Sequence, residues 1–582
     1  MTRSSCAILA PLLVLIACGG ADDQSSDSPR RGAAERDSSS LWFVDATQES
    51  GLGLFLQMNG AADKPFIDES FGAGVALVDV EGDGDLDVYF CNGGLPEGEG
   101  GETPRDALFL NDGSGRFTDG TAAAGLGSTD WNYGVCAADH DGDGDVDLYL
   151  TARGVNRLLS NRGDGTFEDV TERAGVGDPR WSTGAAFLDF DRDGDLDLYV
   201  ANHIDLDRRE LESSGQVGDF FDLEVYFGPA GLAAQGDAFY VNQGDGTFRE
   251  ATDEVGIGGV ELFGFQVVAL DYDNDGWTDI YVANDSTPNL LWRNKGDGTF
   301  EDVGYRVGVA LSMNGDPQAG MGVAVGDYDG DAIADLYVTN FSEDYFTLYR
   351  GSGQGLFTDT TRRAGLYNQT LDSLGWGTGF EDFDGDGDLD LYVVNGHVFP
   401  QVDQLGRRVR YLQRNQVFEN GGDGRFRVPS GEGGPGFAIL AASRGSAAGD
   451  LDGDGDVDLV VGNLDGPPTV IRNDGAQGRT VRLRLVGAGS NPDALGARVE
   501  ALAGDLSLLR IVGASHGFLS TGDLTLHFGL GEARGVDSLE IRWPDGSEER
   551  TGPLEAGSVW TVRQGEGISG STPFVQADGG GR

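Results

Sequence analysis

The chain has 582 residues, of which 97 are Asp or Glu and 40 are Lys or Arg, giving a net charge of −57. So acidic a surface excludes nucleic acid as a partner, because phosphate binding needs a basic face. With 39% hydrophobic residues and 96 glycines, the acid is not one disordered tail: it recurs between β-branched runs, as in a turn-rich protein of several domains or one repeat array.

Residues 1–18, MTRSSCAILAPLLVLIAC, place Arg3 ahead of an apolar stretch that ends at Cys18. This is the layout of a signal peptide. Leu15-Ile16-Ala17-Cys18 resembles a bacterial lipobox, which would make Cys18 the lipidated first residue, and Gly19 leans toward the outer membrane. The expectation is an exported lipoprotein, touching the membrane through its lipid alone, with the soluble part in the periplasm or outside the cell. The apolar stretch is too short to span a bilayer comfortably. Residues 19–40 are polar and read as a flexible tether. Cys91 and Cys136 either pair, as export allows, or stay as buried thiols.

Seven acidic motifs follow. Numbered from one, each places carboxylates at positions 1, 3, 5 and 9, a small residue at 6 and a main-chain carbonyl at 7. The first holds Asp79, Glu81, Asp83, Asp85 and Asp87. The second holds Asp139, Asp141, Asp143, Asp145 and Asp147, and the third Asp189, Asp191, Asp193, Asp195 and Asp197. The fourth is sparser, with Asp271, Asp273, Asp275, Trp277 and Asp279. So is the fifth, with Asp327, Asp329, Asp331, Ile333 and Asp335. The sixth holds Asp382, Asp384, Asp386, Asp388 and Asp390, and the seventh Asp450, Asp452, Asp454, Asp456 and Asp458.

Alternate residues of a tight loop point at one centre, and glycine at position 6 permits the positive φ that wraps it. This is hard-cation chemistry, since calcium takes about six to eight oxygens in flexible geometry. The EF-hand shares these positions but needs Glu at 12 between two helices. Position 12 here is Phe90, Leu150, Val200, Val282, Val338, Val393 and Val461, and a strand pattern follows each motif. Calcium is the expected cofactor, at up to seven sites, weakest at Asp327, where Ala332 takes the glycine position.

Each unit adds a glycine-led strand before the motif (GAGVALVD, STGAAFLD), an LYV strand after it, and an N-x-G-D-G-x-F hairpin. A closing F-x-D-x-T-x-x-A-G stretch ends it. FVDATQESGL at 43–52 is a closing stretch with no motif before it, and the last motif has none after it. The N-terminal strand thus completes the last unit, as in a closed propeller. The expected fold is all-β: a seven-bladed β-propeller with calcium-loop hairpins over 41–475, followed by a small C-terminal β domain.

These units resemble FG-GAP, or VCBS, integrin α-like repeats over about 43–475. FDLEVYFGPAGL at 221–232 and NGHVFPQVDQLGRRVRYL at 395–412 resemble insertions in bacterial relatives of cartilage acidic protein. NPDALGARV, GFLSTGDLTLHFGLG and VDSLEIRWPDG resemble the ASPIC/UnbV domain, which implies such a domain at 476–565. Residues 566–582 are glycine-rich and read as a disordered tail.

The expected function is a non-enzymatic, calcium-stabilised binding or adhesion scaffold, meeting a protein or glycan ligand through the long connections 203–236 and 397–416. The alternative is an extracellular hydrolase or lyase acting on a polysaccharide or phosphate ester. Gly513–Gly517 fits G-x-S-x-G, but its flanks read as strands, whereas a nucleophile elbow needs a helix next. His203 and His397 open the two long connections, as structural histidines or as lining of a surface pocket.

Overall fold

The computed structural model describes residues 41–95, 103–475, 478–513 and 517–575. The expectations for the leader, Cys18 and the tether lie outside these residues. The all-β class read from the sequence is what the structure has.

Seven antiparallel sheets of four strands share one order. Each begins with a glycine-led inner strand and passes through the acidic loop into the second strand. It then turns through a third and ends in a short F-x-D strand. The first sheet runs Val75–Val78, Asp87–Phe90, Ala107–Asn111 and Phe117–Asp119. The inner strands of sheets two to seven are Asn132–Ala138, Ser182–Leu188, Gly264–Leu270, Val323–Gly326, Gly375–Glu381 and Ser443–Gly449. Each inner strand lies beside the next and the last lies beside the first, so the sheets form a ring. Sheet seven takes its outer strand from the N-terminal side, where Phe43–Asp45 pairs with Thr469–Asn473.

Local chemistry explains the repeat. Inner strands converge at the axis, where only glycine fits: a Cβ on Gly184 would lie 2.3 Å from Phe265 O, and one on Gly322 2.0 Å from Trp376 O. The closing motif is a corner. Asp169 accepts the Thr171 N–H, and the Thr171 hydroxyl accepts the N–H of Leu158 on the third strand at 2.9 Å. Asp45 and Thr47 make the same corner for Val470, so the N-terminal segment serves sheet seven as the closing stretch serves other sheets. Between sheets pack the tyrosines of the second strands, Tyr89, Tyr149, Tyr199, Tyr281, Tyr337 and Tyr392, all buried. Aromatic side chains of this size bury about 150–250 Å² each and dominate such cores.

Behind the ring stand two further four-stranded sheets. One contains Thr480–Val486, Leu526–Gly529, Ser558–Arg563 and Gly567–Pro573; the other contains Arg498–Ala503, Leu506–Ile511, Ser538–Arg542 and Glu548–Thr551. Their alternating apolar residues, Val481, Leu483, Val499, Ala501, Leu539 and Ile541, form one core. The strand Gly567–Pro573 corrects the disordered tail expected from 566. Its backbone pairs with Ser558–Arg563 at an exposed edge, so it needs no apolar face to signal it. Residues 576–582 lie outside the described residues. Cys91 and Cys136 are free, buried thiols.

Segment 517–523 of this domain enters the ring axis. Gly517 bridges Val323, and Thr521 bridges Ala76. The Leu519 N–H donates to Gln266, the Val135 N–H to Leu519 O, and the Asp523 N–H to Ala448 O. Phe518 meets Phe265 and Trp376, and Phe71 of the N-terminal segment meets Phe265 from the other end. The axis is packed core.

Candidate metal centres

The acidic loops all leave the same ends of the inner strands and share one face of the ring. Their hydrogen bonding repeats with few exceptions. In every loop the N–H of position 6 donates to Oδ2 of position 1, as from Gly84 to Asp79 and from Gly387 to Asp382 at 2.9 Å. In every loop the N–H of position 7 donates to Oδ1 of position 5, turning that carboxylate inward. Ala332 takes this wrapped conformation at φ 62, a strained choice for a residue with a Cβ.

Position 9 has a second role. Its two oxygens accept the N–H of position 2 and the N–H that follows the third strand's penultimate side chain. For Asp390 these are Phe383 and Asn420, at 3.2 and 2.7 Å, and the same pair recurs in all seven loops. Position 9 thus fastens the loop to its own sheet as well as offering a ligand oxygen. The position 7 side chains of Asp85, Asp145, Asp195 and Asp388 turn instead toward the hairpin glycines Gly113, Gly163, Gly244 and Gly422. That leaves the main-chain carbonyl as the group position 7 can offer, as expected.

One carboxylate oxygen from each of positions 1, 3 and 9 lies within 4.8 Å of the others in loops three, four and five; in loop two the same holds for Asp139, Asp141 and Asp143. Burial raises these acids: Asp139, Asp189 and Asp382 are pushed up to about 7, and Asp271 and Asp327 to about 6. Burial and then neighbouring carboxylates push Asp386 to about 8 and Asp454 to about 7. Asp271 Oδ1, Asp329 Oδ1 and Asp452 Oδ1 are buried without a hydrogen-bond partner. Converging, desolvated oxygens with unmet lone pairs fit a hard divalent cation.

Two features were not read from the sequence. The first is the asparagine of the N-x-G-D-G hairpin. Asn242 Nδ2 donates to His140 O, at position 2 of the preceding loop, at 3.0 Å. Asn111, Asn161, Asn294, Asn420 and Asn473 do the same to Leu451, Val80, Phe190, Tyr328 and Phe383. These bonds tie each loop to the next sheet around the ring, except between sheets four and five, where Gly351 replaces the asparagine. The Asn opens an N-x-G turn in six of the seven units, which was the available signal. The second is His140, at a position 2 that is aliphatic or a Phe or Tyr ring in the other loops; its Nδ1 meets Asp147.

The C-terminal domain covers the loop face. Arg482 pairs with Asp450 at 2.8 Å, Arg510 approaches Asp382 at 3.7 Å, and Arg542 approaches Asp271 at 3.4 Å. The Gly529 N–H donates to Asp382, and the Asp139 N–H to Asp493. The long connections occupy the opposite face. His203 is buried against Phe71, Trp181 and Phe265, and His397 against Phe220, Phe341 and Phe399; burial pulls both down to about 3. They are structural histidines of the core. Of the G-x-S-x-G stretch, Ala514 to His516 lie outside the described residues, and Gly517 enters a bridge and turn.

The FG-GAP-like repeat profile matches 79–150, 139–200, 222–282, 271–338 and 327–393, and the ASPIC and UnbV profile matches 487–569. Cartilage acidic protein 1 of Xenopus tropicalis is 29% identical over 287 residues, covering 47% of this chain and 40% of that protein. The Homo sapiens protein is 29% identical over 281 residues, covering 46% and 39%. The matched stretch thus spans less than half the length of these relatives. An Agrocybe aegerita lectin structure covers 69% of this chain and 95% of its own, at 16% identity and a TM-score of 0.38.

Proposed function

The chain belongs to the FG-GAP-like repeat family and carries an ASPIC and UnbV domain behind the repeats, and from that membership we propose a calcium-stabilised binding scaffold. The observation that supports this best is repetition: all seven loops use their carboxylates in the same way, positions 1 and 5 closing the loop round one centre and position 9 fastening it to its own sheet. One reaction centre would not need seven copies. The calcium would be held by positions 1, 3, 5 and 9 and the carbonyl of 7. It would neutralise carboxylates that otherwise repel one another.

The scaffold reading is non-enzymatic. The histidines nearest the long connections are enclosed by aromatic rings, where neither can meet a substrate. Recognition of a protein or glycan falls to the exposed face formed by 203–236 and 397–416, where Arg408, Arg410 and Arg414 line a groove of about 380 Å³ with Leu412 and Leu440. The protein works outside the cytoplasm, held by a lipid on Cys18.

Calcium binding is then part of folding. Chelation should lower the melting temperature by several degrees, and added calcium should restore it. An identical melting curve with and without chelator would remove calcium from the account.

A further inference from the structure

The seven loops differ in what stands beside them. On the third strand, the residue before the joint position sits at the same register in every sheet, opposite the residue that follows the closing Phe. It is Leu110, Ser160, Val241 and Glu419 in sheets one, two, three and six. In sheets four, five and seven it is arginine: Arg293, Arg350 and Arg472.

In sheet four the Arg293 guanidinium spans the loop. Its Nε donates to Asp273 Oδ2 at 3.0 Å and its Nη2 to Asp275 Oδ2 at 2.7 Å. The other oxygens of these two acids already accept main-chain N–H groups, from Asp275 and Trp277. The oxygens left to face a cation are therefore the ones the arginine holds. Sheet five repeats the clamp, with Asp329 Oδ1 left free of it. Arg350 Nε pairs with Asp329 Oδ2 and Nη2 with Asp331 Oδ2 at 2.5 Å, while Asp331 Oδ1 accepts the Ile333 N–H. These are also the two loops that lack a carboxylate at position 7, having Trp277 and Ile333 there. Sheet seven shows the contrast. Arg472 turns away to Asp474, at 2.8 Å, and to Glu49, and Asp452 Oδ1 is left buried without a partner.

Resting on the calcium reading above, we infer that Arg293 and Arg350 are built-in competitors of the cation, dividing the loops into five tight calcium sites and two weak ones. A guanidinium already paired with both carboxylates must be displaced, or must share them, before a metal takes its full oxygen set. One oxygen in each loop, Asp271 Oδ1 and Asp329 Oδ1, remains open. Loops four and five therefore keep a residual affinity, and one of their four carboxylate charges is offset whether or not calcium is present. The two neighbouring sheets also flank the one joint where the linking asparagine is missing, at Gly351. An internal cation reduces the repulsion in this part of the ring when calcium is scarce.

The test counts calcium bound to the full chain by equilibrium dialysis over a range of free calcium. Five sites should fill first and two only at calcium at least about tenfold higher, the equivalent of one good ion pair. Arg293→Gln and Arg350→Gln should each move one site from the weak class to the tight one. Both side chains are about one-third exposed, and a melting curve in calcium checks that each variant folds. Val241→Arg, which places a guanidinium beside Asp191 and Asp193, should move one site the other way. Seven equivalent sites, or a tight count unchanged by all three variants, would overturn the inference while leaving calcium binding intact. No bound calcium in any variant would instead sink the underlying calcium reading.

Discussion

At the scale of single residues, buried histidine gives the protein a pH dependence of known sign. His203 lies fully buried, with Nδ1 against Gly264 O and its pKa pulled from 6.5 to about 3 by burial. The unfolded chain binds a proton near pH 6.5 that the folded protein refuses. Stability from this group is therefore complete above about 6.5 and is lost as pH falls toward 3. His397 adds a second group of the same sign. Between pH 7 and 5, each should cost the calcium-loaded protein about 2 kcal/mol of unfolding free energy. His203→Phe suits the surrounding aromatic rings and should remove one share of that slope in urea titrations. An unchanged slope would mean that the buried imidazole accepts its proton without opening the core.

At the scale of the element, the unit is a loop plus the hairpin beyond it, and the two are joined by Asn. Asn242→Ala removes donors from His140 O and Leu196 O and should cost about 1–3 kcal/mol in denaturant titration. A cost near zero would show that the joint is redundant. Much of this unit was legible in the sequence. The spacing of carboxylates, the apolar position 12 and the F-x-D-x-T stretch each encode a local hydrogen-bond pattern, and local patterns repeat in the letters. The joints were harder to read, because Asn111 bonds Leu451 across 340 positions and no short window contains both. The strand at Gly567–Pro573 was missed for another reason. An edge strand is held by backbone bonds, and GISGSTP has no apolar face to report them. The arginines on positions 3 and 5 of loops four and five lie 18 to 21 residues from their partners, and only the fold brings them together.

At the scale of the whole molecule, the proposed lipid anchor can be tested directly. If Cys18 carries the lipid, Cys18→Ser should move the protein from the membrane fraction to the soluble one without changing its melting temperature. Unaltered partition would assign the attachment elsewhere. The ring and the C-terminal domain behave as one body, because 517–523 supplies core to the inner strands and the domain's arginines face the loops. That arrangement sets a schedule for the newborn chain. Phe43–Asp45 waits for its partner Thr469–Asn473, made more than four hundred residues later, and Phe518 comes later still. At roughly 5–20 residues per second, the wait lasts on the order of a minute. Throughout it, the first strand has no neighbour, and Phe265 and Trp376 face an axis that is not yet filled. The protein cannot be finished sheet by sheet: a late-made segment, 517–523, is the keystone for strands made long before it.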